Sequence, residues 1–154
     1  MNPYNGFSPA QRNRAQAWLR AEWASGRLAR PGRCCACGQT EGVIDAHAED
    51  YSEPFAAGKT DEFHLCFVCH MMVHCRFKNR DAWDRYRTAI REGKRSRPFH
   101  TRNFGRFSAD FLDAPGLLPR AEYEQHEPPA RRPLDEIDQR ACMKETAPIR
   151  RASR

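Results

Sequence analysis

No stretch of the 154 residues is apolar and long enough to cross a bilayer, and the amino terminus has no hydrophobic run of the kind that directs secretion. The expectation is a cytoplasmic protein with no membrane partner, in which thiols stay reduced and paired cysteines hold zinc rather than each other. Only 40% of the residues are hydrophobic and 30% are charged, with a mean hydropathy of -0.86, which excludes a large apolar core. A chain this short has room for about one domain, and no internal repeat is visible. Basic side chains are almost missing from one region: residues 34–75 contain only Lys59, against seven acidic groups.

What the sequence does have is concentrated. The net charge of +6 divides into an acidic centre between two basic arms, +5 over residues 1–33 and +8 over residues 76–107. Four segments follow: a basic helix and linker (1–33), a cysteine- and histidine-bearing module (34–76), a second basic helix with an Arg/aromatic stretch (77–111), and a proline-rich tail (112–154). Ser8-Pro9 reads as a helix start and Gly26 as its end. Asp81 reads as the cap of a helix running to Arg91, with Trp83, Tyr86 and Ile90 on one face. Six of the eleven prolines fall in the tail, which reads as largely disordered apart from a short helical stretch near Leu134 to Met143.

Cys34-x-x-Cys37 and Cys66-x-x-Cys69 are two chelating loops separated by 28 residues, and Gly38 permits the tight turn that such a knuckle needs. Together they predict one structural four-cysteine Zn2+ site. Cys35, Cys75 and Cys142 are left over. His70 and His74 are four apart, so a helix would stack both imidazoles on one face, while Cys69 projects about 100° away from its neighbour His70. Such a helix would serve two ions, with the cysteines on one and the histidines facing elsewhere. A closed four-sulfur site performs no reaction, so any chemistry must come from other side chains.

The string from Cys34 to His74 resembles the HNH endonuclease family, in the phage-type form with a built-in zinc knuckle. The residues that carry the resemblance are Cys34, Cys37 and Gly38, then Ala46-His47-Ala48-Glu49-Asp50-Tyr51 with Pro54, then Leu65-Cys66, Cys69-His70 and His74. It covers about residues 10–76, half the chain. The resemblance implies an α+β fold, a small zinc-stabilised ββα-metal domain with flanking helices. It also implies that His47, His70 and His74 bind a second divalent cation such as Mg2+, Mn2+ or Ni2+ beside a scissile phosphate. The chain departs from the family at two positions. The general-base histidine is replaced by Ala48, and the hairpin-bracing asparagine aligns with Asp61. Among the neighbours of the missing base, His64 is the substitute best matched to neutral pH, ahead of Glu49 and Asp50.

The basic arms point to nucleic acid, DNA first, through Arg12, Arg14 and Arg20 on one side and Arg97, Arg102 and Arg106 on the other. Arg97 to Phe107 interleaves guanidinium groups with aromatics, as single-strand binders do. Three functions remain open on sequence alone: an HNH-like DNA-binding protein with impaired cleavage, a non-catalytic nucleic-acid-binding module or regulator, and an adaptor whose tail engages a protein partner.

Overall fold

The computed structural model describes residues 3–103, 117–118 and 132–145. It is a small α+β structure in which a two-stranded antiparallel hairpin and the helix that follows it lie between other helices.

Helix α1 (Pro9–Ala24) begins as the sequence predicts. Ser8 accepts from the Gln11 amide while the Gln11 side chain accepts from the Ser8 amide, a reciprocal capping box, and Pro9 occupies the first turn, where its missing N–H costs nothing. Its buried face is Arg12, Ala15 and Leu19. Just upstream, Asn5 (φ 51) and Gly6 (φ 78) form a tight turn that pairs Tyr4 with Phe7. Both central residues have positive φ, which Asn-Gly adopts readily. That turn carries Tyr4 into the interior.

Strands β1 (Ile44–His47) and β2 (Phe63–Cys66) pair with Asp45 opposite Leu65 and His47 opposite Phe63. Helix α2 (Phe67–Cys75) starts directly after β2 and is nearly all buried, as its apolar run Phe67, Val68, Met71, Met72 and Val73 requires. Helix α3 (Arg80–Arg91) is capped by Asn79, whose Oδ1 accepts from the Ala82 amide, rather than by Asp81, which sits in the first turn. A short strand β3 (Arg95–Ser96) pairs with β4 (Leu117–Leu118). The chain after β3 runs back along the hairpin, where Val43 donates to the Phe99 carbonyl. Gly42 is required there: a Cβ would come within 2.5 Å of the Phe99 backbone.

The tail contributes to the core. Helix α4 (Pro133–Glu145) covers the short helical stretch expected from the sequence, and it packs Leu134 and Ile137 against the cluster formed by β2, α2 and α3. Its acidic side is matched to α3. Asp138 accepts from Arg80 at 2.7 Å and from the Trp83 indole at 2.9 Å, and Asp135 accepts from Arg91 at 2.6 Å. Apart from Leu117, Leu118 and Arg132, the other tail residues, and the Phe104 to Phe107 part of the Arg/aromatic stretch with Arg106, lie outside the described residues.

Candidate metal centres

The two chelating loops converge. Cys34 and Cys37 flank a turn closed by the Gly38 amide on the Cys34 carbonyl (2.9 Å), with Gly38 at φ 77. The Cys35 amide donates to the His64 carbonyl and ties this knuckle to the hairpin. Cys66 ends β2 and Cys69 lies in the first turn of α2, so all four sulfurs fall within 4.8 Å of one another. Cys37 Sγ and Cys66 Sγ are 3.7 Å apart. The edge of a tetrahedron with Zn–S arms of about 2.3 Å is about 3.8 Å, so the cluster has the spacing and donor set to hold zinc. Hydroxyls surround it: Ser96 Oγ is 2.9 Å from Cys66 and Tyr86 Oη is 3.1 Å from Cys69, each placed to donate to a thiolate. Burial, followed by the crowding of neighbouring sulfurs, pushes the Cys66 and Cys69 thiols up, while hydrogen bonds from Cys34 and the other cysteines pull Cys37 down. Four thiolates in one dry pocket need a cation. Cys35 and Cys75 stand outside the cluster.

A second convergence involves nitrogen. His47 at the end of β1 and His70 and His74, one turn apart on α2, bring one ring nitrogen each within 4.8 Å of the others. His70 Nε2 and His74 Nε2 are 3.3 Å apart. The rings are held from behind. Asp45 Oδ2 lies 3.2 Å from His70 Nδ1, and Arg102 donates to the same carboxylate at 2.6 Å. His47 Nε2 lies 2.8 Å from Glu49 Oε1, which fixes the tautomer that donates from Nε2. Its Nδ1 is then left buried with no hydrogen-bond partner.

Glu49 is the hub of a buried network that sequence reasoning did not find. Its carboxylate accepts from Arg76 Nη2 on both oxygens (3.2 and 3.0 Å), from the Tyr4 hydroxyl (2.5 Å) and from Asn5 Nδ2. The Arg76 Nη1 also donates to Tyr4 Oη at 2.8 Å, and the Tyr4 ring packs edge-on against His74. Although burial opposes it, this pairing with His47, Arg76 and Tyr4 holds the Glu49 carboxyl down at about 2. Burial lowers His47 to about 4 and His74 to about 2, so both imidazoles are neutral near pH 7, the form in which they act as ligands. The Asn5-Gly6 dipeptide was the available signal for Tyr4; nothing local marks Arg76.

His64 does not belong to this cluster. It pairs with Ala46 across the hairpin, and alternation along the strand puts it on the face opposite His47 and Phe63. Its Nε2 faces Asp61 at 3.8 Å, while Asp61 Oδ1 accepts from the Gly58 amide. The position that the resemblance assigns to a general base is also closed. Ala48 is 0% exposed and packs in a cluster with Ala15 of α1, Tyr4 and Tyr51.

The arginines divide. Arg12 is buried beneath α1 with its guanidinium over the Tyr4 and Tyr51 rings at 5.0 and 5.3 Å, so it is a packing residue rather than a phosphate ligand. Arg14 pairs with Glu53 at 2.8 Å. Arg20 and Arg97 are exposed, and Arg102 lies beside Asp45.

Acid stability follows from the histidines. In the unfolded chain His47 and His74 take up protons near pH 6.5, whereas the folded chain holds them neutral to much lower pH. The unfolded state therefore binds more protons, and stability falls as pH drops from about 6.5 to 4, by on the order of 3 kcal/mol from His47 alone. Glu49 adds a further loss between about pH 4.5 and 2. Urea melts at pH 7, 5.5 and 4, with zinc content followed in parallel, should show the decline starting before zinc is released.

No family model matches the chain, and neither a curated protein nor a solved structure does.

Proposed function

We propose that the chain is an HNH-like zinc protein that binds DNA and holds a second divalent cation on His47, His70 and His74. The observation that carries this reading is the convergence of those three imidazoles from a hairpin and the following helix. The 3.3 Å between His70 Nε2 and His74 Nε2 equals the edge of a tetrahedron with arms of about 2.05 Å. His47 contributes a buried Nδ1 that lacks any other partner. Asp45 and Glu49 stand behind His70 and His47 as carboxylates stand behind metal-bound histidines. A cation held there supplies Lewis-acid stabilisation of a phosphodiester oxygen.

The chain's own residues do less than a full hydrolytic site does. With Ala48 packed under α1 and His64 on the other face, neither of these two positions offers an imidazole to take a proton from water at the cluster. A general base is worth roughly 10²–10⁴ in rate, so cleavage by this arrangement is slow. The closed Ala48 position specifically favours the second reading, a non-catalytic nucleic-acid-binding module built on the same scaffold.

Supercoiled plasmid incubated with the zinc-loaded chain and added Mg2+, Mn2+ or Ni2+ separates the two. The expected result is slow, metal-dependent nicking that His74→Ala abolishes. Ala48→His does not accelerate it, because a larger side chain there displaces Ala15 and costs about 1–3 kcal/mol in stability. DNA binding without nicking in any of the three metals leaves the non-catalytic reading, and no DNA binding at low salt removes both.

A further inference from the structure

A cleft of about 730 Å³ lies between α1, the Arg30-Pro31 turn, β1 and the start of α2. Its volume is within the roughly 300–1,000 Å³ of sites that enclose small molecules. His70 and Asp45 form part of its wall, so it adjoins the three-histidine cluster directly. Much of the remaining lining is apolar, and Trp23 of α1 belongs to it.

The charge in this cleft is not balanced. Arg20, Arg30 and Arg102 line it against a single carboxylate, Asp45, which is already bonded to Arg102 and His70. Several arginines elsewhere are matched: Arg14 to Glu53, Arg27 to Glu22, Arg80 to Asp138 and Arg140 to Glu62. Among the described residues Arg20 and Arg30 have no carboxylate partner. Arg30 instead lies over the Trp23 ring at 5.0 Å, and the Trp23 Nε1–H is buried with no acceptor. Arg20 meets only the neutral Gln16 amide oxygen, at 3.5 Å. A concave apolar wall with an indole and an excess of guanidinium groups over carboxylates matches a ligand that has both a flat ring and phosphates.

We propose that this cleft takes one unpaired nucleotide of a nucleic-acid strand, its base against Trp23 and Arg30 and its flanking phosphates on Arg20 and Arg102. A paired base has its faces covered by stacking and cannot enter a concavity, whereas a single strand offers each base face. The proposal deepens the nucleic-acid reading above by naming the strand form that the histidine cluster meets: single-stranded or frayed. DNA and RNA share this chemistry.

The test is fluorescence anisotropy of fluorescein-labelled dT12, U12 and a 12-base-pair duplex with the full zinc-loaded chain and no added divalent cation. The preferred single strand is expected to bind at least ~10-fold more tightly than the duplex, and the ratio of dT12 to U12 assigns DNA or RNA. Arg20→Ala/Arg30→Ala, at two exposed positions, should weaken single-strand binding by ~10-fold or more and reduce the salt slope by about 0.7, the one phosphate held by Arg20. Trp23→Leu should cost about 5- to 150-fold, the range for one stacked base. Arg85→Ala, exposed on α3 and outside the cleft lining, should change nothing. Duplex binding as tight as single-strand binding overturns the proposal, as does an unchanged affinity in the double variant. Because no metal is added, the outcome is independent of nicking: plasmid cleavage with a neutral double variant removes the cleft alone, and strand binding without cleavage removes only the nuclease reading.

Discussion

Cys69→Ser, or removal of zinc by a chelator, is expected to abolish the cooperative thermal transition of this protein. The reason lies in what the four sulfurs join. They connect the Cys34–Cys37 turn, the end of β2 and the first turn of α2, and through the Ser96 hydroxyl they reach β3. Cys69 is 0% exposed, so a serine there places a hydroxyl in a dry pocket and leaves three ligands. Structural zinc in small domains contributes an apparent ~10–16 kcal/mol at pH 7, whereas a whole domain is stable by only about 5–15 kcal/mol. The apolar core partly offsets this loss, since Trp83, Tyr86 and Ile137 come from α3 and α4 and not from the zinc module. Even so, the magnitude favours the metal. Near-UV circular dichroism and melting curves, with zinc content measured on the same samples, check it. A zinc-free chain that melts cooperatively within about 5 °C of the zinc-loaded form would sink the expectation.

The features legible in the sequence were those with short-range chemical signatures. Two Cys-x-x-Cys pairs announce a shared tetrahedron because each loop can present two sulfurs on its own. The spacing of His70 and His74 announces one helical face. Ser8-Pro9 announces a helix start, since capping is decided within three residues. The rest depended on long-range placement. Arg12 reads as a surface cation by composition, but the tertiary fold seats it on Tyr4 and Tyr51. His64 reads as near His47 along the resemblance, and only the strand register puts it on the opposite face. Ala48 reads as a lost base; its role in admitting α1 through contact with Ala15 is a packing fact between residues far apart in the chain. The docking of α4 through Asp138 onto Arg80 and Trp83 spans more than fifty residues, and no local pattern encodes it.

Arg76→Met is expected to destabilise the fold by about 3–5 kcal/mol, the cost of leaving one member of a buried ion pair uncompensated. The Arg76 and Glu49 side chains are 1% and 2% exposed, and their contact is 3.0 Å. With the guanidinium gone, the Glu49 carboxylate keeps Tyr4, Asn5 and His47 but loses the buried cation it pairs with. For a chain of this size that corresponds to a fall in Tm of roughly 10 °C or more. Glu49→Gln strands the arginine instead, and the double variant Glu49→Gln/Arg76→Met, which removes both charges, should recover more than half of either loss. A purely apolar role for Arg76 would make the two losses additive, so the double-variant cycle decides between them. Glu49→Gln has a second consequence that stability does not report. The amide oxygen can still accept from His47 Nε2, but without the negative charge the imidazole becomes a poorer donor at Nδ1. Affinity of the three-histidine cluster for Ni2+ or Mn2+, titrated well below the melting temperature, should then fall about 10- to 100-fold while zinc on the cysteines is retained. Loss of stability without loss of that affinity would mean that Glu49 anchors the amino-terminal turn and does not tune the histidine.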